Sequence, residues 1–179
     1  MGEPERVKNM QATRHTVVPD HPGVRWAPSE NWNERPPGVP VESVVIHFTD
    51  LPLRETLELL SRPGHPASTH YVIDRDGALY QMVPEHLRAW HSGVSRFAGR
   101  DDVNDFSIGV DLVFEPELHD RYEEIQYQVL LDLIDGIRTR HPINPSLITG
   151  HEDVALPPGR KADPGPCFDW PRIRGHLSK

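Results

Sequence analysis

Ser43-Val-Val-Ile-His-Phe-Thr49 is the stretch on which the fold turns. It is a short apolar run rich in β-branched residues, and it reads as a buried strand with His47 at its C-terminal end. Downstream, Arg54 to Ser61 places Leu57 and Leu60 at helical spacing and stops before Pro63-Gly64. His70-Tyr-Val-Ile-Asp and Ala78-Leu-Tyr-Gln-Met-Val83 flank Arg75-Asp-Gly77, the pattern of a β-hairpin turning at Asp76-Gly77. Phe106 to Phe114 reads as another strand, with Ile108, Val110 and Leu112 on one face and Gly109, Asp111 and Val113 on the other.

The strongest helical signal is Glu123 to about Arg140, whose apolar stripe is Ile125, Val129, Leu130, Leu133, Ile134 and Ile137. Acids open it and arginines close it, which suits the helix dipole. Leu147-Ile-Thr149 is a short strand leading into Gly150-His151, and the chain from there to Trp170 reads as loop. Strands and helices alternate without a repeated βαβ rhythm. The expected architecture is α/β, a single domain with a central mixed β-sheet flanked by α-helices. An irregular, proline-rich N-terminal arm precedes it. The arm is placed at residues 1–25, its start a candidate for mobility, and the domain at 26–179. Within the lead-in, Trp32 is expected to pack against something.

Composition narrows the function classes. A chain of 179 residues with 36% hydrophobic and 26% charged residues suits one soluble, globular domain. The net charge of −8, with no run of Lys or Arg, argues against a nucleic-acid partner. No window is long and apolar enough to span a bilayer. Met-Gly-Glu-Pro-Glu-Arg is followed by no apolar core, so the chain as written is expected in the cytoplasm, or in the envelope or outside the cell if a leader was removed. Cys167 is the single cysteine and excludes an intramolecular disulfide. No P-loop, G-x-G-x-x-G or H-E-x-x-H is present.

Three elements carry the chemistry. His47 ends a buried strand, His151 follows a short strand by way of a glycine, and Gly159-Arg-Lys-Ala-Asp-Pro-Gly-Pro166 holds Lys161 and Asp163 two residues apart. If that loop folds back over the sheet, two imidazoles and a carboxylate converge. Such a set matches a catalytic zinc site, with three protein ligands and water in the open fourth position. A lysine beside the metal could stabilise the oxyanion on a scissile carbonyl, so the chemistry implied is metal-assisted amide hydrolysis. On spacing alone a packed or surface role fits each histidine more readily than a ligand's, and Lys161 and Asp163 could equally be a solvated loop pair.

Six segments, in order, lift this reading: Val44-Val-Ile-His-Phe-Thr49, Ser68-Thr-His-Tyr71, Ala89-Trp-His-Ser-Gly93, Asn104-Asp-Phe-Ser-Ile-Gly-Val-Asp111, Gly150-His-Glu-Asp153 and Gly159-Arg-Lys-Ala-Asp-Pro-Gly-Pro166. With them the chain resembles the type 2 N-acetylmuramoyl-L-alanine amidases, a family that includes peptidoglycan recognition proteins. The resemblance implies one zinc ion held by His47, His151 and Asp163, with Lys161 as the cationic partner of the transition state. It also implies a peptidoglycan or muropeptide substrate cut between N-acetylmuramic acid and L-alanine. The family's catalytic acid falls at Asp111, where glutamate is usual; aspartate shortens the reach by about 1.5 Å, one carbon–carbon bond. Glu115 and Glu152 are then rival bases. Thr69 replaces the tyrosine of some members. The loop from His151 to Asp163 is slightly longer than the family pattern through Ala155-Leu-Pro-Pro158 and is expected to bulge outward.

Trp90, His91, Arg100, Asn104 and His70 are candidates for substrate contact, each against a plain packing or loop role. Cys167 reads as a small buried hydrophobe rather than a rival ligand. The alternative to catalysis is a recognition module that binds peptidoglycan without cutting it.

Overall fold

The structure, a computed structural model, describes residues 18–178. Residues 1–17, most of the expected arm, lie outside that range. In chain order the strands are β1 (Arg25–Trp26), β2 (Trp32–Glu34), β3 (Ser43–Phe48), β4 (Tyr71–Ile73) and β5 (Leu79–Gln81). They continue as β6 (Leu87–Ala89), β7 (Arg96–Phe97), β8 (Arg100–Asp101), β9 (Ser107–Leu112) and β10 (Ile148–Gly150). The helices are α1 (Leu53–Ser61), α2 (Glu124–Arg140), the single turn α3 (His151–Val154) and α4 (Trp170–Leu177).

Six strands form one mixed sheet in the order β1-β5-β4-β9-β3-β10, in which β4 and β5 alone pair antiparallel. The central pair aligns Val44 with Ile108, Ile46 with Val110 and His47 with Asp111. Because strand side chains alternate, the even-numbered residues of both strands face one layer and the odd-numbered residues the other. Val44, Ile46, Ile108, Val110 and Leu112 pack on Leu130, Leu133, Ile134 and Ile137 of α2 and on Ile173 and Leu177 of α4. The four α2 residues are fully buried, each contributing about 1.5–3 kcal/mol relative to exposure. On the opposite face, Val72, Met82 and Val113 receive Leu53, Leu57 and Leu60 of α1. The expected flanked mixed sheet is therefore present.

The apolar stripe of α2 departs from expectation at its start. Ile125 is 39% exposed at the rim, while Gln126 is buried in the face toward the sheet. The reason lies in the backbone, since β4 and β9 end there and their carbonyls need donors. The Gln126 amide donates to the Val113 carbonyl at 3.0 Å, and its Oε1 accepts from Glu123 N–H at 3.0 Å in a capping box. Ile125 instead lies over the hairpin turn, where Gly77 has φ +85° and a Cβ would sit 2.5 Å from Ile125 Cγ1.

The lead-in is ordered by polar anchors rather than by its tryptophan. Contrary to expectation, Trp32 is 38% exposed. Asn31 is buried, and its amide donates to the Leu60 and Arg62 carbonyls at 2.9 Å. The Arg35 guanidinium donates to the carbonyls of Glu85, Asn104, Asp105 and Ser107. Burial, with Arg88 nearby, brings its pKa down to about 10. Arg25, placed in the arm, pairs with Tyr80 and so joins the sheet. Helix α4 was not expected. The Asp169 carboxylate accepts from Arg172 N–H at 3.0 Å and Pro171 occupies the first turn, both ordinary start signals. No helix among the described residues is long and apolar enough to cross a membrane.

Candidate active site

Strands β3, β9 and β10 run parallel, and the site lies at their shared C-terminal edge, where α/β sheets commonly bind ligands. His47 is the fifth residue of β3, and His151 opens α3 directly after β10. Two devices bring Asp163 to them. Glu152 N–H donates to the Asp163 carbonyl at 2.9 Å, and Tyr122 OH donates to the Pro164 carbonyl at 2.7 Å. Gly150 makes the approach possible, because a Cβ there would lie 2.6 Å from Pro164 Cδ.

The result is a triangle of ligand atoms. His47 Nδ1 is 3.1 Å from His151 Nδ1, and each nitrogen is 3.0 Å from Asp163 Oδ2. All three residues are buried. Among the described residues this is the sole cluster of three such groups within metal-binding distance of one another.

The surrounding hydrogen bonds assign the protons. His151 Nε2 faces the Ser92 carbonyl at 3.1 Å and must carry a hydrogen. Burial lowers the His151 pKa despite Asp163 beside it, so the ring is neutral and its Nδ1 bears a lone pair. His47 Nε2 faces His91 Nδ1 at 3.1 Å. His91 Nε2 in turn faces Ser107 Oγ at 3.2 Å, and that hydroxyl donates to the Val103 carbonyl at 2.6 Å. His91 therefore donates to Ser107 and accepts from His47. Burial and the adjacent His47 hold the His91 pKa well below the ordinary imidazole value. His47 Nδ1 is thereby left as a second lone pair. Asp163 is ionised, its carboxyl lying below the ordinary carboxylate range despite burial. Three electron-rich atoms thus converge with no proton to mediate them, an arrangement that a divalent cation satisfies. The donor set, two imidazoles and a carboxylate, fits zinc.

A cleft of about 360 Å³ opens over the triangle, bordered by Asp111, Arg160, Lys161, Phe48 and Ser68. Burial raises the Asp111 carboxyl to about 6, opposed by His47, Thr69 and Lys161. The Thr69 hydroxyl is buried without a well-formed hydrogen bond among the described residues, yet lies close enough to favour the ionised Asp111. Lys161 is exposed at the border. Of the two rival acids, Glu115 pairs with His119 at 3.5 Å, and neither it nor Glu152 borders the cleft.

The five candidates for substrate contact are placed differently. His91 alone reaches the cleft, from beneath His47. It rests against β9 because Gly109 lacks a Cβ, which would stand 2.5 Å from its ring. Asn104 is buried, and its Oδ1 accepts from the backbone N–H of His91 at 3.1 Å and of Ser92 at 2.8 Å. It shapes the site from behind. His70 is fully buried; Nδ1 accepts from Gly109 N–H at 3.0 Å and Nε2 donates to the Leu87 carbonyl at 3.1 Å. Both nitrogens are spent, and burial beside Arg35 takes its pKa to about 3. Arg100 pairs with Glu42, ahead of β3, and lies 4.0 Å over the Phe106 ring. That is the opposite end of the strand from His47. Trp90 donates its indole N–H to Asn33 at 2.6 Å and does not border the cleft.

Cys167 is exposed rather than buried, because its neighbour Phe168 takes the core position, 5.4 Å from the Tyr122 and Tyr127 rings. Pro157 to Gly159 do bulge into solvent, but the loop is tied down beside them. Leu156 N–H donates to Val94, and Arg160 donates to the carbonyls of Leu156, Ser92 and Val94. Arg160, Ser92 and Ser107 escaped the sequence reading, since each acts through a carbonyl or hydroxyl distant in the chain.

Residues 37–166 match the family described as N-acetylmuramoyl-L-alanine amidase. The chain is 37% identical to the 1,6-anhydro-N-acetylmuramyl-L-alanine amidase AmpD of Escherichia coli K12, an alignment covering 88% of this chain and 93% of that protein. A crystal structure of a selenomethionine derivative of AmpD superposes with a TM-score of 0.75 at 33% identity, over 90% of this chain and 99% of that one. AmiD from E. coli, solved with the substrate anhydro-N-acetylmuramic acid-L-Ala-D-γ-Glu-L-Lys, gives a TM-score of 0.69 at 30% identity, over 80% of this chain and 60% of that one. By family match, identity and fold together, the chain belongs to the type 2 N-acetylmuramoyl-L-alanine amidases.

Proposed function

We propose that this protein is a zinc-dependent amidase that cuts the bond between N-acetylmuramic acid and L-alanine in soluble 1,6-anhydro-muropeptides. The convergence of His47 Nδ1, His151 Nδ1 and Asp163 Oδ2 carries the reading. Residues 26–179 constitute the amidase domain, with Arg25 joining through β1.

A zinc ion held by these three residues would supply Lewis acidity, making water nucleophilic at neutral pH and polarising the scissile carbonyl. Asp111, aligned with His47 across β3 and β9, takes the proton of the attacking water and returns it to the departing alanine nitrogen. Its raised pKa suits both halves of that task. The Lys161 ammonium offsets the negative charge that develops on the carbonyl oxygen. His91, Ser107 and Asn104 keep His47 in the tautomer that presents Nδ1, and Ser92 does the same for His151. The relatives solved with anhydro-muropeptides, AmiD and AmpDh3 of Pseudomonas aeruginosa, favour the soluble fragment as substrate.

Zinc-loaded protein offered anhydro-muropeptide and intact sacculi side by side tests this. Peptide is expected from the soluble fragment. Stoichiometric binding without amide cleavage would contradict the amidase reading and support a recognition module.

A further inference from the structure

Arg35 lies in the lead-in ahead of β3, in a segment that the chemistry above does not use. Its guanidinium nevertheless ends at the turn that runs into β9. Nη1 donates to the Asn104 and Asp105 carbonyls at 3.0 Å, and Nη2 donates to the Ser107 carbonyl at 2.9 Å. Nε and Nη2 donate to the Glu85 carbonyl at 3.2 and 3.0 Å. Strand β4 pairs with β9 only from Val110 onward, so the Ser107 carbonyl has no strand partner on that side. The arginine stands where the missing strand residue would donate.

Two of the residues it fixes are those that orient His91. Asn104 Oδ1 accepts from the backbone N–H of His91 and of Ser92, and Ser107 Oγ accepts from His91 Nε2 at 3.2 Å. His91 Nδ1 then faces His47 Nε2 at 3.1 Å, which leaves His47 Nδ1 for a metal. Arg35 Nη2 also stands 3.1 Å from His70 Nε2. His70 Nδ1 in turn accepts from the N–H of Gly109, the residue against which the His91 ring rests. Both supports of His91, the turn and Gly109, therefore meet at one guanidinium.

We propose that Arg35 is a positioning residue of the metal centre: its planar fork holds residues 104–107 at the spacing from which Asn104 and Ser107 orient His91, and His91 orients His47. The inference rests on the amidase reading and extends the metal site into the lead-in. A lysine would keep the charge but concentrate its donors on one nitrogen, which cannot serve carbonyls spread along the turn.

Zinc affinity of the full chain, measured in competition with a chelator, is compared for wild type, Arg35→Lys, His91→Leu and the double variant. Arg35→Lys is expected to weaken zinc binding about tenfold, the lower end for a group behind a ligand. In the His91→Leu background the same change is expected to cost less than about twofold, because its route to His47 is already cut. Losses that multiply in the double variant, or an unchanged affinity in Arg35→Lys, would overturn the assignment. Arg35→Ala supplies a second measurement. Methylguanidinium in the vacated space is expected to recover most of the zinc affinity, but to give no gain when His91→Leu is also present. Equal recovery in both backgrounds would overturn the role, as would a chain that folds in none of these variants, since the arginine would then anchor the fold at large. The wild-type protein separates the two claims: zinc binding and peptide release with multiplying losses in the variants removes the Arg35 role alone, and no zinc binding or no turnover removes the amidase reading itself.

Discussion

Two buried clusters of histidine and carboxylate sit on this sheet, and they resolve their charges in opposite ways. Glu85 is 1% exposed, yet its carboxylate accepts from Arg140 at 2.6 and 2.9 Å, from His141 at 2.8 Å and from Tyr71 OH at 2.7 Å. Burial alone would raise its pKa, but these donors outweigh it and bring the group down to about 2. Every lone pair has a proton. Around Asp163 the neighbours are equally close, but hydrogen bonds from behind have turned both imidazoles so that they present lone pairs as well. A polar cluster that satisfies itself holds the fold together; one left electron-rich is built to receive something.

The contrast is broken most sharply at the ligands. His47→Ala or Asp163→Ala should lower zinc content to near zero and activity by roughly a thousandfold or more, read by metal analysis and peptide release. Asp111→Asn should keep zinc and slow turnover by about a hundredfold to ten-thousandfold, and more than Glu152→Gln does. Because Asp111 must be ionised to act as a base, activity should fall as pH drops through its pKa. That acid limb belongs at or below about 6, since a cation nearby can only pull it down. A limb well above that value would assign the base elsewhere. Lys161→Ala should also retain zinc, with kcat down by about a hundredfold to a thousandfold; equal metal loss would remove its role at the transition state.

Behind the ligands, His91→Leu should weaken zinc binding about 10- to 100-fold in competition with a chelator, because His47 loses the acceptor that fixes its tautomer. His91→Asn can offer Oδ1 where Nδ1 stood and should recover most of that affinity. The smallest effect on activity belongs to the self-satisfied cluster. Glu85→Gln should leave zinc and turnover unchanged while costing about 3 kcal/mol of stability, the lower end for a broken buried pair because the Arg140 side chain is 28% exposed and can rehydrate. Glu85 is depressed on folding, so its contribution is complete above about 4.5 and is lost as pH falls toward about 2, a trend that thermal melts across that window would show.

What could be read from the sequence tracks how local each signal is. Strands β3 and β9 and helix α2 carry their own periodicity, and Gly150-His151 and the Lys161–Asp163 spacing mark the site within a few residues. Strands β1 and β6 to β8 have two or three residues each, too few to show a period. Asp169 and Pro171 are start signals for α4, but its eight residues bury only Ile173 and Leu177, too few to mark an apolar stripe. The roles of His91, Asn104 and Glu85 rest on partners 12 to 56 residues away, for which no local pattern exists. Arg100 misled for the same reason, because adjacency in sequence to the Asp111 strand concealed that it lies at that strand's far end.

The most direct test is a crystal of the zinc-loaded protein measured on both sides of the zinc absorption edge. One anomalous peak is predicted, about 2.0–2.2 Å from His47 Nδ1, His151 Nδ1 and Asp163 Oδ2. A peak elsewhere, or these three side chains turned apart with no ion between them, would contradict the account.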